Sequence, residues 1–142
     1  MNVRTFVDTN VLVYLYDTAD PVKRERAQET LRQERAAGSL VVSTQVLSET
    51  FAALTREKRG KPPITTPEVA ERVVRFLATW TVVGVDAPMV LDAVALHRAM
   101  DISLWDALIV RAASVTGCGR LLSEDMKHGQ EIAGVRIENP FR

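Results

Sequence analysis

The chain has one cysteine, Cys118, among its 142 residues. That excludes an internal disulfide and any thiolate-rich zinc centre. Beside an apolar, strand-like stretch, Cys118 reads as a buried, inert thiol. Net charge is also missing: 18 basic residues balance 18 acidic ones. No whole-molecule field draws in a polyanion, so any such contact must come from local clustering. The balance argues against a protein that coats nucleic acid by charge, but not against one whose working site is itself acidic. No apolar run approaches the length that spans a bilayer. The start of the chain runs into VRTFV without a secretory-type apolar segment. The expectation is a cytoplasmic protein that makes no membrane contact.

What is present is ordinary globular material, 46% hydrophobic and 25% charged. The length suits one domain over residues 1–142. Val3 to Val7 is a strand candidate, with a helix beginning at about Thr9. Asp20-Pro21 reads as an N-cap followed by proline in the first turn, opening a charged helix that stops at Gly38. Leu40 to Val42 is a second strand, followed by a helix from Ser43 to about Lys58 and a break from Gly60 to Pro63. Thr66-Pro67-Glu68 opens another helix, ending near Ala78. Trp80 to Val85 reads as a strand, and Asp86 with Pro88 starts the helix carrying Val90, Val94 and His97. Ser103 begins a helix through Val115. Arg120 to Leu122 and Val135 to Ile137 complete the strands. Alternating strands and helices predict a three-layer αβα domain of the α/β class, with a mostly parallel sheet of four to five strands.

Four acids occupy informative places. Asp8 follows the first strand in FVDTNVLVYL, where open α/β sheets bind ligands beyond their carboxyl ends; it suits a ligand site and an N-cap equally. Asp125 repeats the arrangement after RLL, in RLLSEDMKHG, with turn chemistry as its bland reading. Glu49 lies within STQVLSETFAALTREK, with Val46 and Ala53 as helical neighbours and Leu47, Phe51 and Leu54 marking the core stripe. It borders the apolar face with no local cation, or else reaches water from the boundary. Asp106, in ISLWDALIV, completes the Ser-x-x-acid pattern of a capping box and sits at the favourable end of the helix dipole. As a set, converging carboxylates repel, so some must take up protons or share a cation. An all-oxygen set suits a hard divalent ion, Mg²⁺ or Mn²⁺.

With those residues in view, the chain resembles the PIN-domain family, in particular the VapC-type toxins of bacterial toxin–antitoxin pairs. VDTNVLVYL, VLSETFAAL, LWDALIV and LLSEDMKHG occur in the family's order and spacing, and the similarity covers essentially the whole chain. The resemblance implies that Asp8, Glu49, Asp106 and Asp125 form a Mg²⁺ or Mn²⁺ site for endoribonuclease activity, with Asp8 and Asp106 at the most typical metal-binding positions. Ser123 matches a small hydroxyl residue that hydrogen-bonds within the site, and Asn10 matches a position of Asn or Ser. Glu124 adjoins Asp125 as a possible fourth acid, though the motif favours Asp125. The family's habits imply a homodimer, an RNA substrate, and a cognate antitoxin that blocks the groove.

Backbone phosphates need cations. The run REKRGK, with Arg56, Lys58 and Arg59, is expected at the end of the helix bearing Glu49, and Lys23 to Arg26 is a second basic run. His97 reads as boundary packing and His128 as turn-exposed, which disfavours attack through a 2′-hydroxyl. Two other functions compete. A catalytically inactive PIN-like module could bind RNA or protein; the presence of all four acids argues against it. A phosphoryl-transfer enzyme using Asp8 as nucleophile would want a second acid two residues on, where Asn10 stands.

Overall fold

The computed structural model describes residues 3–142. The chain order is β1 (Val3–Val7), α1 (Thr9–Tyr14), α2 (Pro21–Ala37), β2 (Gly38–Ser43), α3 (Thr44–Thr55) and α4 (Pro67–Leu77). It continues through β3 (Thr81–Val83), α5 (Ala87–Ala99), α6 (Leu104–Val115), β4 (Arg120–Leu122), β5 (Glu131–Ile132) and β6 (Val135–Glu138). The helix starts follow local chemistry. Asp8, Asp20, Ser43, Thr66, Asp86 and Ser103 are N-caps whose side chains accept from backbone N–H groups of the first turn.

The strands form one sheet in the order β3-β2-β1-β4-β6-β5. Every pairing is parallel except the terminal β5–β6 hairpin. The sheet therefore has six strands rather than the four to five expected. The added edge strand, Glu131–Ile132, turns back through Ala133 (φ 51°) and Gly134 (φ 79°). A two-residue turn of this kind needs positive φ at both positions, and alanine rarely signals it.

The order explains the layers. From β1 the chain moves outward through β2 to β3, crossing over by α1–α2 and then α3–α4; it returns through α5–α6 to β4 on the other side of β1. Right-handed crossovers in opposite directions place the two helix groups on opposite faces. In keeping with this, α1 packs on α2 and α3, α3 on α4, and α5 on α6. Between the layers Phe6, Val7, Val41, Leu121 and Leu122 are buried with Leu12, Leu54 and Ile109. Cys118 is buried, as expected. No helix of the described residues is long and apolar enough to cross a membrane.

Two boundaries and one core position differ from expectation. Gly38 ends α2 without a left-handed cap: its φ is 179°, and it is the first residue of β2, paired with Val3. A Cβ there would lie 1.9 Å from the Val3 carbonyl oxygen, so close strand approach is what demands glycine. Helix α3 stops at Thr55 because Arg56 is extended, and REKRGK forms a turn in which Lys58 and Lys61 pair, with Arg59 (φ 48°) and Gly60 (φ 76°) between them. Phe51 is 37% exposed; the buried stripe of α3 is Val46, Thr50 and Leu54.

Candidate active site

The reversal of strand order falls between β1 and β4, and at their carboxyl ends the two strands cannot both be covered by one crossover. Asp8 follows β1 there, its N–H donating to the Leu122 carbonyl at 3.0 Å. Ser123 and Asp125 follow β4. The first turns of α1 and α6 and the middle of α3 close around this point, leaving a crevice of about 1040 Å³. Asp8, Glu49, Asp106 and Asp125 all line it. Four stretches far apart in sequence thus supply carboxylates to one space. Among the described residues, none of the four is in a salt bridge.

Asp8 is the innermost, 5% exposed. One carboxylate oxygen accepts from the Thr9 N–H at 2.7 Å, and the other accepts from the Ser123 hydroxyl at 2.8 Å. Asp8 is therefore the cap of α1 and at the same time the innermost acid of the crevice. Burial pushes its pKa from 3.8 up to about 7; the bonds from Ser123 and Thr9 pull it down, and the charges of Asp106 and Asp125 add to the rise. Asp106 also lies above the usual range, first because it is half-buried and then because Asp125 faces it, with Ser103 opposing. Its backbone N–H donates to Ser103 Oγ at 3.0 Å, so the capping motif aims the carboxylate as well as starting the helix.

Asn10 and Ser123 stitch the floor together. Asn10 Nδ2 donates to Asp125 Oδ2 at 3.0 Å and lies 3.4 Å from Asp8 Oδ2, while Asn10 Oδ1 accepts from the Glu124 N–H at 3.1 Å. Ser123, fully buried beneath the crevice, also accepts from the Asp125 N–H at 3.2 Å. Glu49 is met by Thr9 Oγ1 and Gln45 Nε2, each at 3.4 Å, and by no cation. Glu124 does not line the crevice: it pairs with Lys23 at 2.5 Å and accepts from the Tyr14 hydroxyl at 3.0 Å. Lys23 is spent in that contact and held over the Tyr14 ring, so the start of the second basic run is not free for phosphate.

Of the other basic candidates, Arg56 and Lys58 line the crevice, joined by Lys61. Arg59 does not; it occupies the tip of the turn outside the crevice wall. His97 is exposed, with Nδ1 2.6 Å from the Ile102 carbonyl, and His128 Nδ1 accepts from the Asn139 N–H at 3.0 Å. Neither histidine lines the crevice. Residues that sequence reasoning passed over are Gln45 and Trp105, both in the crevice wall. Gln45 stands one helical turn before Glu49, a spacing that could have flagged it. Trp105 is hidden in an apolar-looking run.

The donors are all oxygen, uncompensated by cations and partly desolvated, which suits a hard divalent ion. Among the described residues, no group of three or more His, Cys, Asp or Glu side chains is gathered closely enough to hold one ion. The donor set therefore fits an ion bound directly by one or two carboxylates, with water completing its shell, as Mg²⁺ prefers.

A doubly covered, mostly parallel sheet with an acidic crevice at its switch point defines the class. The PIN-domain family profile matches residues 5–130, a span that contains all four acids. The chain belongs to the PIN-domain family. Solved structures share the fold at low identity. A toxin–antitoxin complex from Klebsiella pneumoniae is 20% identical over 96% of this chain and 97% of that one, with a TM-score of 0.70. VapBC2 from Rickettsia felis, bound to a promoter DNA fragment, is 17% identical over 96% and 98%, again at 0.70. VapC20 of Mycobacterium tuberculosis, described as a sarcin-ricin loop cleaving toxin, is 21% identical over 82% and 86%, at 0.63. No curated protein sequence matches the chain.

Proposed function

We propose that this protein is a Mg²⁺- or Mn²⁺-dependent endoribonuclease acting as the toxin of a toxin–antitoxin pair, in the cytoplasm and as a homodimer. One observation carries the catalytic part: four carboxylates from distant segments share a crevice, none of them in a salt bridge among the described residues, and the deepest is held well above its ordinary pKa. Such a site is costly unless it binds something positive. The toxin part draws on the fold's likeness to toxin structures, including an RNA-cleaving one.

Asp8 and Asp106 would hold the ion, with Glu49 and Asp125 completing or tuning the site. A bound dication supplies Lewis acidity, lowering the pKa of an attacking water and offsetting charge on the phosphodiester. Asn10 keeps the Asp125 carboxylate turned toward Asp8, and Ser123 fixes the Asp8 rotamer from below. Thr9 and Gln45 orient Glu49 while leaving it anionic. Arg56, Lys58 and Lys61 meet the RNA backbone. Attack by water would leave a 5′-phosphate and a 3′-hydroxyl. A cognate antitoxin would act by filling the same groove.

The test is incubation of purified protein with labelled RNA in Mg²⁺, Mn²⁺ or chelator, beside Asp8→Asn. Cleavage requiring both the ion and Asp8 is expected; cleavage surviving chelator and substitution would rule the mechanism out. A second reading is a PIN-like module that binds RNA or protein without cutting it, in keeping with the lack of a preformed three-acid cluster among the described residues. RNA binding with no metal-dependent stabilisation would select that reading.

A further inference from the structure

Trp105 lines the crevice, and the acid site leaves its chemistry unused. It is 64% exposed, although tryptophan is the largest apolar side chain and is ordinarily well covered. It lies in the first turn of α6, immediately before Asp106, and lines the same crevice as the four acids. Its backbone is held: Ser103 caps the helix, and Gln45 Nε2 lies 3.4 Å from the Trp105 carbonyl. Among the described residues no ring contact involves the indole, whereas Trp80 packs edge-on against Phe76 with centroids 6.1 Å apart. The exposed ring is therefore anchored at its root and bare on its face.

Electrostatics says what such a ring is for. The chain has no net positive charge, and the crevice floor is acidic, so a polyanion near the floor is repelled until a cation intervenes. Three basic side chains on the wall offset that in part. The remaining attraction must be uncharged, and stacking of a nucleobase on an aromatic face is such a contact. A base inside a duplex has both faces covered by its neighbours; only an unpaired base can offer one.

We propose that Trp105 is the stacking platform for one unpaired nucleobase beside the phosphodiester at the acid site. The inference rests on the nuclease reading for its location but is tested by binding. Trp80 and Trp105 are the two tryptophans, so Trp80→Phe leaves Trp105 as the only indole emitter. In chelator, a single-stranded oligoribonucleotide should quench that emission, while a matched duplex and an abasic strand should not. With Mg²⁺ present, Trp105→Leu should raise KM by about 5- to 100-fold, the worth of one stacked base. Trp105→Phe should restore most of that loss, and both variants should melt with the natural protein because the ring is exposed. Quenching without any cleavage would sink the nuclease reading and leave the platform standing. Cleavage by Trp105→Leu at the natural KM, or emission indifferent to every oligonucleotide, would overturn the platform and leave the indole to a protein contact.

Discussion

Replacing Asp8 by asparagine should make the metal-free protein more stable at pH 8 while abolishing its proposed activity. In the folded chain Asp8 titrates at about 7 against 3.8 for a free carboxyl, mainly because burial penalises the charge. A raised value means that the folded state holds the proton more tightly. The stability tied to that proton is complete below about pH 4 and lost as pH rises toward 7. Keeping Asp8 ionised at pH 8 then costs roughly 4 kcal/mol. Asparagine has the same shape, remains a good N-cap and carries no charge. It must exchange one acceptor for a donor opposite Ser123 and Asn10, which loses about 1–2 kcal/mol even as the Ser123 hydroxyl turns round. The net gain is roughly 2 kcal/mol, or about 6–10 °C in melting temperature for a chain of this size. At pH 5 the side chain is protonated in the folded state but ionised in the unfolded chain, so the cost falls to about 1.6 kcal/mol, which the weakened hydrogen bonding cancels, and the gain should vanish. Thermal melts in chelator at both pH values measure this, and taking the difference between variant and natural protein cancels the other titrating groups. Adding Mg²⁺ at pH 8 should raise the natural protein's melting temperature and leave the variant's unchanged. A variant equally destabilised at both pH values would refute the argument, since Asp8 would then carry no ionisation cost.

Other substitutions separate chemistry from architecture. Asp106→Asn should reduce metal-dependent RNA cleavage by about 10³-fold or more, and Glu49→Gln by less; equal losses in a gel-based assay would contradict the division of roles proposed for them. Gly38→Ala should destabilise the fold by about 3 kcal/mol or prevent soluble expression, because the methyl would meet the Val3 carbonyl oxygen. A normal urea midpoint would refute that. Glu34 is a buried acid of α2 that accepts from Thr5 Oγ1 at 3.1 Å and pairs with Arg120 at 2.7 Å, and it does not line the crevice. Glu34→Ala should cost about 1–2 kcal/mol by removing one of the two carboxylates paired with Arg120, which keeps Glu138 at 2.5 Å, and by leaving Thr5 Oγ1 without its acceptor, with cleavage per folded molecule unchanged. A loss of activity without loss of stability would show that this network reaches the site.

The comparison of sequence with structure turns on which residues answer to local rules. Asp20-Pro21, Thr66-Pro67, Asp86 with Pro88, and Ser103 are caps whose effect is complete within one helical turn, and the helix starts fall where they were read. The basic run after Thr55 failed by the same measure: its residues favour helix, but Gly60 and the Lys58–Lys61 pairing bend it into a turn, which carried Arg59 away from the crevice. Glu34 looked like one more charge on a solvated helix, and only the packing of α2 over Thr5 and Arg120 made it buried. Phe51 shows the converse, a large apolar residue read into the core that the rotation of α3 leaves at the surface.

The order of strand and helix signals determined the α/β class by itself, because periodicity and capping are properties of neighbouring residues. It marked the four acids as candidates, and the resemblance to a known family joined them into one expected site. Whether they meet was decided by the sheet order, which sets β4 beside β1 and lays α3 and α6 across the switch point. Burial, and with it the proton affinity of Asp8, exists only once those layers close, because desolvation depends on everything that surrounds a group and not on what precedes or follows it in the chain.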